Sequence, residues 1–238
     1  MTLAAGVAGP QRLAREIAIG GSRFVADAAG ALWHEGERTL VVADLHLEHG
    51  SSFARRGQML PPYDTAATLA ALAATIARYD PLRVVSLGDG FHDGQGAARL
   101  DRDCRAALLS LQAGREWVWV KGNHDPSAPP GLPGEHVESC EVADVEARHE
   151  PSVALDGKAE IAGHLHHVAR IVVRGAGARR RCFASDGRRC ILPAFGAYAG
   201  GLNLRDRAFA GLFDKSRLEI VILGEGRVHL FGAFALGF

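Results

Sequence analysis

Strand-like apolar runs alternate with helix-like segments through the first half of this 238-residue chain, and that alternation most constrains its fold. The runs TLVVADLH, LRVVSLGDG and EWVWVKGNHD are separated by helical patterns at residues 65–77 and 97–112. In the first helical pattern Leu69, Leu72 and Ile76 recur at helical spacing, and Asp64 stands before it as the expected N-cap. Strands that alternate with helices form parallel sheets covered on both faces, so the first half predicts an α/β fold.

The second half contains strand-like segments with little helix between them. RCFASDGRRCILPAF predicts a hairpin that turns at Asp186 and Gly187, and RLEIVILGEGRVHLFG predicts another that turns at Glu225 and Gly226. Together the two halves predict a layered α/β sandwich of two sheets. The Pro- and Gly-rich segment near residue 130 predicts a surface loop and no domain boundary, so we expect residues 1–238 to form a single domain.

The composition and charge of the chain bear on its partners, its cellular location and the state of its cysteines. Lys+Arg and Asp+Glu number 27 each, so the net charge of the whole chain gives no indication of a nucleic-acid partner. The N-terminal segment lacks the pattern of a signal peptide, and the uncharged segment 65–77 is too short to cross a bilayer. The four cysteines form no C-x-x-C pair, and we expect reduced thiols in a cytoplasmic protein.

The first predicted strand ends in an aspartate and a histidine. Asp44 and His46 lie two residues apart, and in an extended segment such residues point to the same side. The pair alone fits a metal site, an acid–base pair or a hydrogen-bonded structural pair.

The other strand-like runs end in the same kinds of residue. Ligands of open α/β sheets bind beyond the carboxyl ends of the strands, and core packing does not place this many polar residues there. The candidates are Asp44, His46, Asp89, Asn123, His149, His164 and His166.

This set of donors is too large for one tetrahedral zinc ion. It suits two ions of five or six coordination that share a carboxylate, and its mixture of oxygen and nitrogen favours Mn, Fe or Zn over Mg. Two ions about 3.5–4 Å apart can bind a phosphate and activate a water for attack on it.

The order of these blocks resembles the calcineurin-like metallophosphoesterases, whose pattern is D-x-H, G-D, G-N-H-D or G-N-H-E, a lone His, and G-H-x-H. All five blocks occur in order between Asp44 and His166, including GNHD at 122–125. The resemblance implies a four-layer αββα sandwich of two mixed sheets flanked by helices. It also implies metal ligands in two sets: Asp44, His46 and His166 for one ion, and Asn123, His149 and His164 for the other. Asp89 would bridge the ions, and His124 would act on the phosphate or the leaving group.

A narrower resemblance covers more of the chain. The blocks ADLHLEHGSSFARRGQMLP, LGDGFHD, HEP, GHLHH, RRRCF and LPAFGAYAGG are similar to the DNA ligase-associated (PdeM-like) branch of bacterial phosphoesterases. This resemblance implies a divalent-metal phosphodiesterase or endonuclease that acts on nucleic acid in DNA repair, with manganese as the expected metal. It also implies a functional link with a DNA ligase, a helicase and a nuclease. The chain departs from the expected pattern at Ala199, where we expect threonine.

An arginine-rich stretch follows the last metal block. Residues 170–189 carry seven arginines and one acidic residue, and Arg179, Arg180 and Arg181 are the candidates for binding nucleic acid. The alternative is a solvated hairpin with scattered charges. Arg55 and Arg56, which follow the first metal block, would extend a basic surface.

Two other functions fit the same motifs. A small-molecule phosphodiesterase acting on cyclic nucleotides or dinucleotides would use identical metal ligands. A scaffold that keeps the fold without catalysis is the second alternative, although such a protein would be expected to lack some ligands or His124, and all are present here.

Overall fold

Two mixed β-sheets packed face to face form the centre of the protein in a computed structural model, which describes residues 13–61, 63–173, 176–198 and 200–232. In the described residues the first sheet has seven strands in chain order. They are β1 (Ala14–Ile19), β2 (Ser22–Asp27), β3 (Leu32–His34), β4 (Thr39–Ala43), β5 (Arg83–Leu87), β6 (Glu116–Val120) and β7 (Glu135–Val137). Strands β1 to β4 pair antiparallel, whereas β4 to β7 pair parallel.

The second sheet comprises the remaining described strands. They are β8 (Ser139–Val142), β9 (Val145–Arg148), β10 (Glu160–Ala162), β11 (Val168–Val173), β12 (Ala176–Ser185), β13 (Arg189–Ile191), β14 (Glu219–Gly224) and β15 (Arg227–Gly232). Their order is β15-β14-β12-β13-β10-β9-β8, and β11 pairs with the outer part of β12. Parallel pairing of β9, β10 and β13 makes this sheet mixed as well.

Helices cover the outer face of the first sheet. The described helices are α1 (His49–Ala54), α2 (Asp64–Tyr79), α3 (Gly96–Arg99) and α4 (Arg102–Gln112). Leu72 of α2 and Leu108 of α4 pack on one face of β4 and β5, whereas Val41 and Val85 face the second sheet. Alternate residues of buried strands thus point into two separate cores.

The outer face of the second sheet is covered by residues 204–213 and their 3-10 helix, Arg207–Phe209. Leu204 and Phe209 pack there on Ala184 and Ile220. The predicted sandwich of two mixed sheets with flanking helices is confirmed. In the described residues, no helix is both long and apolar enough to cross a membrane.

Several local predictions are confirmed and others are wrong. Both predicted hairpins form, β12 with β13 and β14 with β15. The helical pattern at 97–112 is interrupted at Leu100, and Asp101 then caps α4 by accepting a hydrogen bond from the Cys104 amide. The strands β1 to β3, which extend the sheet before the first parallel strand, were not anticipated.

Asp64 is not the N-cap of α2, as the sequence predicted. Tyr63 occupies that position and makes no side-chain capping bond, while Asp64 is the first residue of the helix and is buried. Its carboxylate accepts a hydrogen bond from the Gly50 amide at 3.0 Å. Asp64 therefore ties α1 to α2 instead of capping its own helix.

Candidate metal centre

The predicted ligands meet beyond the carboxyl ends of the parallel strands of the first sheet. Asp44 follows β4, Asp89 follows β5 and Asn123 follows β6, while His149 and His164 follow β9 and β10 of the second sheet. Their side chains form two groups of potential donors, each with its atoms within 4.8 Å of one another. The first group contains Asp44, His46, Asp89 and His166, and the second contains Asp89, His149 and His164.

The first group is organised around two facing imidazoles. The Nε2 atoms of His46 and His166 are 2.9 Å apart. His166 Nε2 lies 3.3 Å from Asp44 Oδ1, and His46 Nε2 lies 3.7 Å from Asp89 Oδ2. The Asp44 carboxylate is held in place by the His164 amide, which donates to it at 3.0 Å. Two imidazole nitrogens and two carboxylate oxygens therefore surround one point.

The second group adds the amide oxygen that the sequence predicted. His149 Nε2 lies 3.0 Å from Asn123 Oδ1, 3.2 Å from His164 Nδ1 and 3.4 Å from Asp89 Oδ2. His149 Nδ1 lies 3.1 Å from the Leu87 carbonyl oxygen, to which it donates. This bond fixes the tautomer and leaves the lone pair on Nε2, the atom that faces the other donors.

Asp89 is common to both groups. Its Oδ1 accepts a hydrogen bond from the His124 amide at 2.9 Å, and its Oδ2 is the atom near both His46 and His149. One carboxylate oxygen is thus anchored to the backbone while the other lies between the two groups. The structure brings all seven predicted ligands together, with Asp89 in the shared position.

The backbone conformation at these residues differs from the extended conformation that the sequence predicts. An extended segment was expected at Asp44 and His46, but β4 ends at Ala43 and both residues have positive φ, 54° and 43°. His164 and His166 repeat the arrangement at 69° and 44°. Left-handed conformations are tolerated better by Asp and His than by bulky residues, and they concentrate at functional sites. Alternating conformations, not an extended strand, make each i, i+2 pair converge.

Two glycines of the motifs are required by close packing at the site. A Cβ atom at Gly122 would lie 2.1 Å from Asp89 Oδ1, and one at Gly88 would lie 2.2 Å from His149 Nδ1. Gly88 also has a φ of 72°. The glycine that precedes Asp89 and the glycine that precedes Asn123 therefore allow the strand ends to approach the ligands.

The charge balance of the site fits divalent cations. Asp44 and Asp89 are 0% and 1% exposed, and among the described residues neither forms a salt bridge with lysine or arginine. Buried carboxylates are costly unless a positive charge compensates them. Oxygen and imidazole donors around such carboxylates are a ligand set of Mn, Fe and Zn.

Burial and hydrogen bonding shift the pKa values of three side chains at the site. Burial, together with the neighbouring His166, lowers the pKa of His46 to about 2, so this imidazole is neutral and able to act as a ligand. Burial would lower the pKa of His149, but its hydrogen bond with Asp89 and the charge of Asp44 raise it to about 9. Burial would raise the pKa of Asp89, but the bond with His149 lowers it to about 2. The hydrogen bond between His149 and Asp89 therefore shifts the two pKa values in opposite directions.

His124 lies beside the first group and outside the two predicted ligand sets, and together with His46 and His92 it forms a third group whose donor atoms lie within 4.8 Å of one another. Its ring centroid is 5.1 Å from that of His46, and its Nδ1 donates to the His92 carbonyl oxygen at 2.8 Å. Among the described residues, the other ring nitrogen, Nε2, has no hydrogen-bond partner. The role of His124 on the phosphate or the leaving group stays a prediction.

Two further histidines border the site, and sequence reasoning gave them no role. His92 Nδ1 lies 3.3 Å from His46 Nδ1, and the His49 ring stacks on the His92 ring at 4.1 Å with an interplanar angle of 7°. Burial and the charges of His49 and His124 lower the pKa of His92 to about 4. Each lies three residues after a predicted ligand, His49 after His46 and His92 after Asp89, and this spacing was the available signal.

The three candidate arginines of β12 lie in different environments. Arg179 and Arg180 are exposed, and Arg179 donates a hydrogen bond to the Gly201 carbonyl. Arg181 is half-buried and donates to the carbonyl oxygens of Ala194 and Phe195 at 2.8 and 3.1 Å. Arg181 therefore connects β12 to the loop at residues 194–195 through hydrogen bonds. Of the three candidate arginines, only Arg179 and Arg180 are exposed.

Comparisons with known proteins agree with the geometry. Residues 37–174, more than half of the chain, match the calcineurin-like phosphoesterase family. The chain belongs to this family. As a member, it is a metal-dependent phosphoesterase, and the matched residues include every predicted ligand.

Solved structures provide a second comparison. The chain is similar to the crystal structure of the Pseudomonas putida nuclease MPE, with 27% identity, a TM-score of 0.71, and coverage of 92% of this chain and 100% of that one. A Zn²⁺ complex of Vps29 from Entamoeba histolytica is 16% identical over 81% of this chain and 96% of that one, with a TM-score of 0.36. The likeness to the nuclease is consistent with the ligase-associated branch of the family. No significant match was found among curated protein sequences.

Proposed function

We propose that the protein is a dinuclear-metal phosphodiesterase that cleaves phosphodiester bonds of nucleic acid as an endonuclease, during DNA repair. The observation that carries the proposal is the shared oxygen: Asp89 Oδ2 is within 3.7 Å of His46 Nε2 and 3.4 Å of His149 Nε2. One anionic oxygen between two sets of donors is the arrangement that two cations need, because it offsets their mutual repulsion.

The residues divide into two sets around this oxygen. Asp44, His46 and His166 would hold one ion, and Asn123, His149 and His164 would hold the other. When bound, such ions would supply Lewis acidity towards a phosphate and a nucleophilic water. The neutral donors in the set preserve positive charge at the site, which favours an anionic substrate. Manganese is the metal we propose, with zinc or iron as the alternatives.

His124 has the role of moving a proton or stabilising charge. Its Nδ1 is committed to the His92 carbonyl, so only Nε2 is available to the leaving oxygen or to a phosphate oxygen. Histidine is the side chain that most often acts as a general acid or base. The carbonyl bond orients the ring, and the His124 amide simultaneously orients Asp89.

Two observations support a nucleic-acid substrate over a small phosphodiester. The nuclease MPE from Pseudomonas putida aligns along its whole length with this chain. The exposed Arg179 and Arg180 lie on β12, and their partner strand β11 begins two residues after His166. Cations beside the metal centre would bind the phosphates that flank the scissile bond. We propose a DNA ligase, a helicase and a nuclease of the same repair process as functional partners.

An activity screen tests this function. The purified protein is stripped of metal, supplied with Mn²⁺, Zn²⁺, Fe²⁺ or Mg²⁺, and assayed on circular single-stranded DNA, RNA of matched length, and bis(4-nitrophenyl) phosphate. We expect Mn²⁺-dependent cleavage of the circular DNA, which has no ends and so reports endonuclease action. Hydrolysis of bis(4-nitrophenyl) phosphate without cleavage of either polymer would replace the proposal with the small-molecule alternative.

A further inference from the structure

A cavity of about 360 Å³ opens beside the metal centre at the end of α1. Its lining residues are Ser52, Arg55, Arg56, Asp93, Gly94 and Gln95. One wall comes from α1 and the turn after it, and the other comes from the loop that follows β5. Both walls start near the metal centre, because α1 starts three residues after the predicted ligand His46 and Asp93 directly follows His92, which borders the site.

The cavity has an excess of positive charge. Asp93 is its one acidic residue, and Arg99 pairs with that carboxylate through two hydrogen bonds of 2.7 and 2.8 Å. Arg55 donates to the neutral Gln95 side chain, and among the described residues Arg56 forms no salt bridge or side-chain hydrogen bond. Two guanidinium groups therefore face this cavity without an acidic partner, which is the chemistry of a phosphate site.

A wall of stacked rings joins the cavity to the metal centre. His49 lies flat on His92, and the Phe53 ring centroid is 4.8 Å from that of His49 and 5.7 Å from that of His92. All three rings are half-buried, so each keeps some surface exposed. Aromatic faces of this kind support a sugar or a base, and in proteins that bind single strands they accompany basic grooves.

We propose that this cavity, the α1 phosphate site, binds the phosphate next to the scissile one, so that the enzyme prefers substrates with two consecutive phosphates. This inference rests on the proposed function, because it identifies the substrate of the same metal centre. A nucleoside would lie along the His49, Phe53 and His92 rings, with one phosphate at the metals and the next at Arg55 and Arg56. The site would therefore discriminate a nucleotide chain from an isolated phosphodiester.

Thymidine dinucleotides test the α1 phosphate site directly. The substrates are TpT, with one phosphodiester, and its terminally phosphorylated forms pTpT and TpTp. We expect kcat/KM to be about tenfold higher for at least one phosphorylated form than for TpT, because guanidinium–phosphate hydrogen bonds are charge-assisted. In the Arg55→Gln/Arg56→Gln variant, and in Arg56→Gln to a smaller degree, this ratio should fall towards one.

The control variant is Arg23→Gln on β2, an exposed arginine on a strand that β3 separates from β4. It should keep the wild-type ratio. An equal rate on TpT and both phosphorylated forms in the wild type would overturn the α1 phosphate site, as would a ratio that the double variant leaves unchanged. Hydrolysis of bis(4-nitrophenyl) phosphate without cleavage of circular single-stranded DNA would instead overturn the proposed function, so the two failures are distinguishable.

Discussion

At the scale of single residues, Asp89 is the side chain on which both donor groups depend. Replacing it with alanine removes the shared oxygen and leaves two cations to repel each other across the site. We expect Asp89→Ala to lose both metals, as measured by elemental analysis of the purified protein. Asp156→Asn is the matched control, because Asp156 is exposed in a turn with a φ of 42° that asparagine tolerates. Two ions per chain in Asp89→Ala would contradict the shared position.

His124 should behave differently, because it lies outside both sets of ligands. We expect His124→Ala to retain the metals and to lose turnover by about 100- to 10,000-fold, the usual contribution of a general acid or base. The loss should be smaller on nitrophenyl esters, whose leaving group needs no proton. An equal loss on good and poor leaving groups would assign His124 to binding or orienting the phosphate instead.

The candidate ligands could be selected from the sequence, but the geometry that brings them together could not. Asp44, His46, His164 and His166 stand out because each pair follows an apolar run at a spacing of two. Their left-handed backbone conformations are imposed by hydrogen bonds between segments, such as His46 N to Asp89 O at 2.9 Å, and no local pattern reveals these. The inward turn of Arg181 has the same kind of cause, since its acceptors lie 13 and 14 residues away.

At the scale of secondary-structure elements, α1 depends on a buried polar contact with α2. The Asp64 carboxylate accepts the Gly50 amide at 3.0 Å, and Asp64 is 5% exposed. We expect Asp64→Ala to lower the free energy of unfolding by about 1–3 kcal/mol, because it leaves that buried amide without an acceptor. Asp64→Asn keeps an oxygen acceptor and should be less destabilised. Equal stability of both variants in urea unfolding would show that this hydrogen bond contributes little.

The exposed arginines of the β11–β12 hairpin can be used to distinguish a nucleic-acid substrate from a small phosphodiester. If Arg179 and Arg180 bind phosphates, the Arg179→Gln/Arg180→Gln variant should bind single-stranded DNA more weakly. The slope of log affinity against log salt should fall by about 0.7 for each phosphate that the variant no longer neutralises. Arg23→Gln serves as the control for removal of a surface charge. An unchanged slope in the double variant would favour the small-molecule phosphodiesterase and would reduce the hairpin arginines to solvated charges.

The helices and strands could be predicted where a pattern of neighbouring residues in the sequence determines them. The run of β4, α2, β5, α4 and β6 follows from apolar periodicity, and both hairpins follow from their turn residues. Strands β1 to β3 were missed because they are short or partly exposed, and pairing with their neighbours, not propensity, stabilises them. The break before α4 was missed because apolar periodicity continues across Leu100.

At the scale of the whole molecule, the metal centre is assembled from both sheets, so the second sheet must be held in register with the first. A buried ion pair lies within that second sheet. Arg189 Nε donates to Glu160 Oε1 at 2.7 Å, and both side chains are 2% exposed. The same guanidinium donates to the Ser152 and Leu212 carbonyls, so it joins β13 and β10 to two surrounding loops.

Removing this arginine should cost more than removing any surface arginine. We expect Arg189→Met to lower the free energy of unfolding by about 3–5 kcal/mol, because it leaves Glu160 buried with an unpaired charge. Arg188→Met is the matched control, since the Arg188 side chain is exposed and its removal should change stability by no more than about 0.5 kcal/mol.

Adding Glu160→Gln to Arg189→Met removes the unpaired buried charge and should recover part of the stability. Urea unfolding of the three variants and the wild type measures each difference. A double variant no more stable than Arg189→Met would show that the hydrogen bonds of the guanidinium to the Ser152 and Leu212 carbonyls, and not its charge, stabilise the second sheet.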